Sequence, residues 1–502
     1  MSNFIGIDVG TSSTKSMLMR ADGTIVGSAQ QKYDVLMPRV GYNEQDIDCL
    51  WDAVCSTLRE LSQNYPAEIA NVKGIGYSGQ MHGLVMLDEN GKPIRNCIIW
   101  SDQRSVREID VIHAAIPPAE FNQVTLNQLS TGYMVSSLIW VKNNEPDHFS
   151  RMRSLMLPKD YIRLRMTGET GTDMTDASSS VLFDTAAREW AWDFIDRLGV
   201  PREVFPPCHE SYEIAGALTN EAAAITGLPA GIPVVYGGGD TLMHEVGTSM
   251  IGEDRPWVAN IGTSCQVSCA MNRPAYDSLF RINTFCHVKE DLWMLMSPNM
   301  CGGSAMKWVQ KNVYSGENLS FEDLNQIAEK AAPGCDGLIF LPYLAGARSP
   351  DVDPMARGMY MGLTLSHSRE HIVRSAMEGV VYSLRNSYET LKDITGKEPQ
   401  YIIASGGGAR GALLLQMEAD ILNKPVYTTV EAEQSCIGAA LTAAVGVGYY
   451  KSFDEACDAA VRFNTHVVEP IAQNVAVYNE YFDIYRKLYL HNKPLFDQYP
   501  RM

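Results

Sequence analysis

The chain of 502 residues contains no uninterrupted apolar run of about 18 residues, the length a membrane-crossing helix needs, so no transmembrane helix is expected. Its opening, Met1-Ser2-Asn3-Phe4-Ile5-Gly6-Ile7-Asp8, has no basic segment, and Asp8 interrupts the apolar stretch, so a signal peptide is not expected. Cys-x-x-Cys, His-Glu-x-x-His and Gly-x-Ser-x-Gly are all missing. Their absence removes the usual signatures of redox dithiols, zinc hydrolases and α/β-hydrolase nucleophiles. Positive charge is scarce: 41 Lys+Arg stand against 59 Asp+Glu, a formal net charge of −18. That balance argues against a nucleic-acid or anionic-membrane partner, although not against a small anionic ligand that reads one local site. The eleven cysteines are odd in number and scattered, many in apolar contexts such as Cys265, Cys269 and Cys436. Reduced thiols in a cytoplasmic protein suit them better than disulfides, and Cys265 and Cys269 lack a second pair or a His at zinc spacing.

What is present is the composition of an ordinary globular protein, 45% hydrophobic and 20% charged. The length exceeds one compact core and predicts two domains. Phe4–Val9, Thr14–Met19 and the stretch from Ile25 read as three strands, with Asp22-Gly23 as a hairpin turn. Trp51, Val54, Leu58 and Leu61 recur at helical spacing behind Asp46 or Asp48 as cap, and Val72–Tyr77 is again a strand. This is an α/β pattern, but it does not open as a dinucleotide-binding fold does, with strand, glycine turn and helix. Midway, Trp257–Ile261 runs into Gly262-Thr263-Ser264, as Ile7-Asp8-Val9 runs into Gly10-Thr11-Ser12. Two such openings about a domain length apart predict a duplicated domain with matching loops on one cleft. The boundary is expected near residue 250, giving domains of 1–250 and 251–502.

Four loops have the residue types for chemistry. Asp8-Val9-Gly10-Thr11-Ser12-Ser13-Thr14-Lys15 offers a glycine turn, hydroxyls and amides to phosphate oxygens, and Asp8 can hold hydrated Mg²⁺; an ordinary turn has the same composition. Gly237-Gly238-Gly239-Asp240-Thr241 follows the apolar stretch Ile232–Tyr236. It sets Asp240 where a carboxylate can take a proton from an attacking hydroxyl, or simply cap a turn. Ser405-Gly406-Gly407-Gly408-Ala409-Arg410-Gly411 lies between a strand and a helix, a geometry that suits a nucleotide on backbone. In Gly79-Gln80-Met81-His82-Gly83, His82 can donate to a sugar hydroxyl or be a loop residue without a role. Trp100-Ser101-Asp102-Gln103-Arg104 suits hydroxyl recognition or a loop ion pair.

Taken in order, these motifs resemble the FGGY carbohydrate kinases over roughly residues 4 to 450. Asp8–Lys15 and Asn260–Ser264 are similar to the family's two phosphate motifs, and Gly238-Gly239-Asp240 to its catalytic motif. Gly406–Asp420, with Gln416 and Ala419-Asp420, resembles its adenosine motif, and Glu433–Ala440 the segment that follows. Gly358-Met359-Tyr360-Met361-Gly362-Leu363, then His371–Glu378, resembles its C-terminal signature. The resemblance implies an α/β fold of two actin-like, ribonuclease-H-like ATPase domains flanking a catalytic cleft. It implies Asp240 as general base, with Asp8 positioning Mg²⁺. Phosphate and nucleotide contacts would come from ATP-binding residues Thr11, Ser12, Lys15, Gly262, Thr263, Ser264, Gly407, Gly408 and Gly411. Met81, His82 and Thr241 would meet the sugar. Gln80–Gly83, Leu157-Pro158-Lys159-Asp160-Tyr161 and Arg163–Gly168 look most like members acting on D-xylulose, so phosphorylation of a ketopentose, D-xylulose at O5, is the expected reaction. Thr241, Ala347 and Ser137 depart from frequent Asn, Glu and Lys. Those departures keep ribulose, an aldonate or a glycerol-like polyol open as acceptors. A non-catalytic actin-like ATP-binding protein is the alternative of another class. The C-terminal stretch Tyr478–Tyr489, apolar at Tyr478, Tyr481, Ile484 and Leu488, docks either on its own domain or across a homodimer.

Overall fold

The structure, a computed structural model, describes residues 2–499. An antiparallel meander opens it: β1 (Asn3–Val9), β2 (Ser13–Arg20) and β3 (Ile25–Lys32). Gly23, at φ +85°, makes the predicted turn, and the Asp22 side chain accepts from the Thr24 amide. Helix α1 (Ile47–Asn64) starts at Asp46, which accepts from the Asp48 amide, and buries Trp51, Val54, Leu58 and Leu61 as their spacing predicts. Strand β4 (Val72–Gly79) then pairs parallel with β1. A largely helical segment follows, in which α2 (Pro158–Thr167) and α3 (Met174–Ser179) border the site. Strands β5 (Ile214–Ala217), β6 (Pro233–Val235) and β7 (Gly238–Gly239) complete the first sheet, in the order β5-β6-β4-β1-β2-β3 with β7 beside β4. Helix α4 (Asp240–Gly247) leaves from β7.

The second sheet uses β8 (Trp257–Ile261), β9 (Cys265–Met271), β10 (Asn283–Cys286) and β11 (Trp293–Asn299). Helices α5 (Gly303–Asn312) and α6 (Arg369–Thr395) lead on to β12 (Ile402–Ser405), α7 (Ala412–Leu422) and β13 (Val426–Thr428). Its order is β10-β11-β9-β8-β12-β13. The runs β6-β4-β1-β2-β3 and β13-β12-β8-β9-β11 have one topology. In each, a central strand opens a run of three antiparallel strands on one side and pairs parallel with a later strand on the other; in the second sheet β10 is inserted before β11 and pairs on its outer edge. This is the ribonuclease-H-like arrangement, present twice, and it places both Gly-Thr-Ser loops at equivalent hairpins.

Helix α8 (Gln434–Gly446) crosses back to the first sheet. A Cβ on Gly6 or Gly76 would collide with the carbonyls of Cys436 or Ala439, so the glycines let helix and sheet backbones touch. Helix α9 (Ala472–Phe496) docks on its own chain. Its buried face is Tyr478, Phe482, Tyr485, Leu488 and Tyr489, whereas Ile484 is 42% exposed. The stripe is turned from the expected one because the rings of Tyr478, Phe482 and Tyr485 gather around Tyr382 of α6, at 5.2–6.1 Å between centroids. Among the described residues, no helix is long and apolar enough to cross a membrane.

Candidate active site

The loop before Asp240 is built by close approach. Gly237 has φ +77°, and a Cβ on Gly239 would lie 2.7 Å from Met81 Cγ. Asp240 follows as the first residue of α4, one position after the glycine that abuts Met81. Its Oδ1 accepts from the Thr241 amide at 2.7 Å and from the Thr241 hydroxyl at 3.3 Å. Burial, and after it the neighbouring Asp8 charge, push the Asp240 carboxyl up to about 7. Asp8 projects from β1 and accepts from Ser78 Oγ at 2.6 Å; burial raises its carboxyl too. Two acids with raised proton affinity at a strand end are the pattern of a functional site.

His82 occupies left-handed backbone, φ +69°, a strained conformation for a non-glycine residue. Its Nδ1 meets the Ser179 carbonyl at 2.7 Å, and its ring stands edge-on to Tyr133 at 4.6 Å. Burial lowers its proton affinity to about 4, so the ring is neutral at physiological pH. A carbonyl only accepts, so Nδ1 carries the hydrogen and Nε2 is an acceptor. His82 is therefore arranged to accept a hydrogen bond from a hydroxyl at Nε2, the reverse of the donor role its sequence context suggested.

In the first Gly-Thr-Ser loop the Thr11 hydroxyl accepts from Trp100 Nε1 at 2.8 Å, and the Thr11 carbonyl accepts from Gln45 Nε2 at 2.5 Å. Ser12 is exposed, and Lys15 is ion-paired with Glu433. In the second loop, the Gly262 amide donates to the Ser264 carbonyl at 2.9 Å. Gly302 and Gly303 pack against the loop, the Gly303 amide donating to the Gly262 carbonyl at 2.7 Å. Gly262, Thr263, Gly407, Gly408 and Gly411 line one cavity of about 640 Å³, on the scale of a nucleotide; Ser264 sits at the hairpin beside it, with its side chain exposed. Gly406 has φ +75°, and a Cβ there would lie 2.6 Å from Asn260 Oδ1. The cavity also uses Met306, Phe321 and Asn325, which carried no signal beyond Gly302-Gly303 ahead of a helix and the Ser320–Asp323 capping box. Gln416 and Asp420 lie outside it: Asp420 accepts from Gln416, the Ile471 amide and Asn474, and so ties α7 to α9.

Helix α4 connects the two sides. His244, one turn (about 6 Å) along from Asp240, has Nε2 3.1 Å from Ser405 Oγ, just before the cavity glycines. The Asp240 carbonyl accepts from Ser435 of α8 at 3.2 Å. Of the remaining motif, Asp102 is paired with Arg104 at 2.9 Å and accepts from the Asn43 amide at 2.6 Å; it is the loop ion pair, not a hydroxyl reader. A buried cluster around Lys159 lies behind the Asp240 loop; Lys159, Asp160 and Arg163 fall in the segments that resemble the D-xylulose members, whereas nothing in the sequence marked Asp173 and Asp176 as their partners.

A duplicated ribonuclease-H-like fold, with raised carboxyls on one side of a cleft and a glycine-walled cavity on the other, defines an actin-like phosphotransferase. The pattern of the FGGY family of carbohydrate kinases, N-terminal domain, matches residues 3–247, and that of the family's C-terminal domain matches residues 257–447. The chain belongs to the FGGY family of carbohydrate kinases. It is 32% identical to the xylulose kinase of Bacillus subtilis (strain 168), over 99% of this chain and 98% of the relative. It is 29% identical to the gluconokinase of the same organism, over 91% and 90%. The crystal structure of a xyloylose kinase from Brucella ovis superposes with a TM-score of 0.92 at 31% identity, over 98% of this chain and all of the other. Membership makes the protein a phosphotransferase with an alcohol acceptor and ATP as co-substrate.

Proposed function

We propose that the protein transfers the γ-phosphoryl group of ATP to O5 of D-xylulose. The observation that carries this reading is the pairing, around Met81, of an Asp240 carboxyl poised near neutrality with a neutral, accepting His82. Asp240 takes the proton of the attacking hydroxyl, and an acid near 7 is both ionised and basic enough to do so at physiological pH. Thr241 holds Oδ1 and leaves Oδ2 for the sugar. His82 Nε2 accepts from a second hydroxyl, and Met81 packs against the carbon skeleton. Thr11, Ser12, Gly262, Thr263 and Ser264 meet the phosphates from two sides, with Lys15 close by through its Glu433 pair. Gly407, Gly408 and Gly411 form the nucleotide wall. The xylulose kinases that match nearly the whole chain support the choice of sugar.

Mg²⁺ suits the donors present. Asp8 offers a hard oxygen and is not ion-paired among the described residues. No group of three or more His, Cys, Asp or Glu there could hold a metal by itself. That donor set fits an ion carried mostly by phosphates and water, which neutralises charge on the transferring group. We divide the chain near residue 250, with 1–250 binding the sugar and 251–502 the nucleotide; the two sheets on either side support the division.

An aldonate acceptor is the second reading, favoured by Arg348, whose charge reaches His82. ADP release measured with D-xylulose, D-ribulose, gluconate and glycerol separates them. Release with D-xylulose is expected; release with gluconate alone favours the second reading, and sugar-independent turnover refutes both.

A further inference from the structure

A buried ionic cluster underlies the acceptor side, and none of the roles above uses it. Lys159, on the first turn of α2, is fully buried. Its ammonium lies 2.7 Å from Asp160 Oδ1, 2.6 Å from Asp173 Oδ2 and 3.2 Å from Asp176 Oδ2, all three side chains fully buried. Arg163, also buried, stands 3.8 Å from Asp160 and donates to the Glu169 carbonyl at 3.1 Å and the Gly171 carbonyl at 2.5 Å. Burial pushes the Asp176 carboxyl well above the usual carboxylate range, against the pull of the Lys159 ammonium. Burying such a cluster costs several kcal/mol per ion in lost hydration, and an apolar replacement is often as stable. Stability is therefore a poor reason for it.

Its bonds lead to the site instead. Asp173 caps α3, accepting from the Thr175 amide at 2.8 Å, the Thr175 hydroxyl at 2.5 Å and the Ser211 hydroxyl at 3.2 Å. With its proton directed at Asp173, Thr175 Oγ1 accepts from the Gly239 amide at 2.8 Å, one residue before Asp240. At the other end of α3, the Ser179 carbonyl receives His82 Nδ1. Six residues are too few for a helix to hold itself. Lys159 also abuts the strand end leading to Met81 and His82, since a Cβ on Gly79 would lie 2.7 Å from its own Cβ.

We propose that Lys159 is a positioning residue: its ammonium fixes α3 through Asp173 and Asp176, and α3 fixes the Asp240 loop through Thr175 and His82 through Ser179. This rests on the acceptor-side roles proposed above. A misplacement of about 1 Å in a reacting group can lower turnover about 100-fold.

The test is steady-state kinetics of Lys159→Met and Thr175→Val with each substrate varied in turn, alongside thermal melts. For Lys159→Met, kcat for D-xylulose falls about 10–100-fold and the sugar KM rises, with the ATP KM within twofold. Thr175→Val reaches only the Asp240 loop, so kcat falls with less movement of the sugar KM. Simple loss of folded protein lowers kcat and leaves both KM values unchanged, and that outcome for Lys159→Met overturns the proposal. So does a folded Thr175→Val with wild-type kinetics; that variant removes no charge and decides alone if Lys159→Met does not fold. Wild-type protein that phosphorylates no sugar overturns the function and this inference with it. Wild-type turnover with unaffected variants overturns this inference alone.

Discussion

Asp240→Asn tests the general base and the environment that raises its proton affinity in one experiment. The carboxyl moves from an ordinary 3.8 to about 7 on folding, chiefly by burial and then by the Asp8 charge. Below the unfolded value both states are protonated, and the residue contributes no penalty. As pH climbs between the two values, only the unfolded chain ionises, so the folded state loses stability until the folded carboxyl ionises as well. The full penalty is of order 2–4 kcal/mol, allowing for water at the mouth of the cleft. Asparagine keeps the shape and removes the charge. The variant should lose at least ~10²-fold in kcat while still binding ATP. It should also melt higher than wild type by a margin that widens with pH, by about 2 kcal/mol between pH 5 and pH 8. At this chain length that corresponds to about 2 °C. Wild-type kcat/KM for the sugar should rise with pH and level off above about 7. Near-normal turnover in the variant would remove Asp240 as the base. A melting difference identical at pH 5 and pH 8 would refute the burial argument even if activity were lost.

His82→Ala should raise the sugar KM about tenfold, the loss of one buried hydrogen bond, and leave the ATP KM unchanged. Because burial holds His82 near 4, the pH profile of the sugar KM between 6 and 9 should keep its shape in His82→Ala; a step near pH 6.5 that the substitution removes would show a titrating imidazole instead. EDTA should abolish turnover and added Mg²⁺ restore it; full activity in EDTA would contradict a donor set that relies on a divalent ion. Gly406→Ala meets Asn260 Oδ1 at 2.6 Å from left-handed backbone. It should raise the ATP KM several-fold with little change for the sugar, and nucleotide titrations by fluorescence check the direction.

The features legible in the sequence are those whose physics is local. Asp22-Gly23 makes its hairpin, Asp46 caps its helix, and Gly237-Gly238-Gly239 delivers Asp240 to a strand end, each within a few residues. The duplicated Gly-Thr-Ser openings were visible because each is one strand running into one turn. What was hidden depends on partners far along the chain. The hydrogen-bond sense of His82 is set by Ser179, 97 positions away. The tie from Lys159 to Gly239 passes through Asp173 and Thr175. Gly247 and Gly438 look like unremarkable helix glycines, yet a Cβ on either would strike the backbone of the facing helix, Gln434 in one case and Met243 in the other. That contact brings α8 against α4 and lets Ser435 reach the Asp240 carbonyl. The acidic balance finds its explanation in the same way. Of the side chains around the nucleotide-sized cavity, only Lys307 and Arg410 are cationic, and Glu322 opposes them. In the scheme proposed above, glycine amides, hydroxyls and a divalent ion do most of the phosphate recognition. Such a site leaves the rest of the surface free to be as acidic as a net charge of −18 requires.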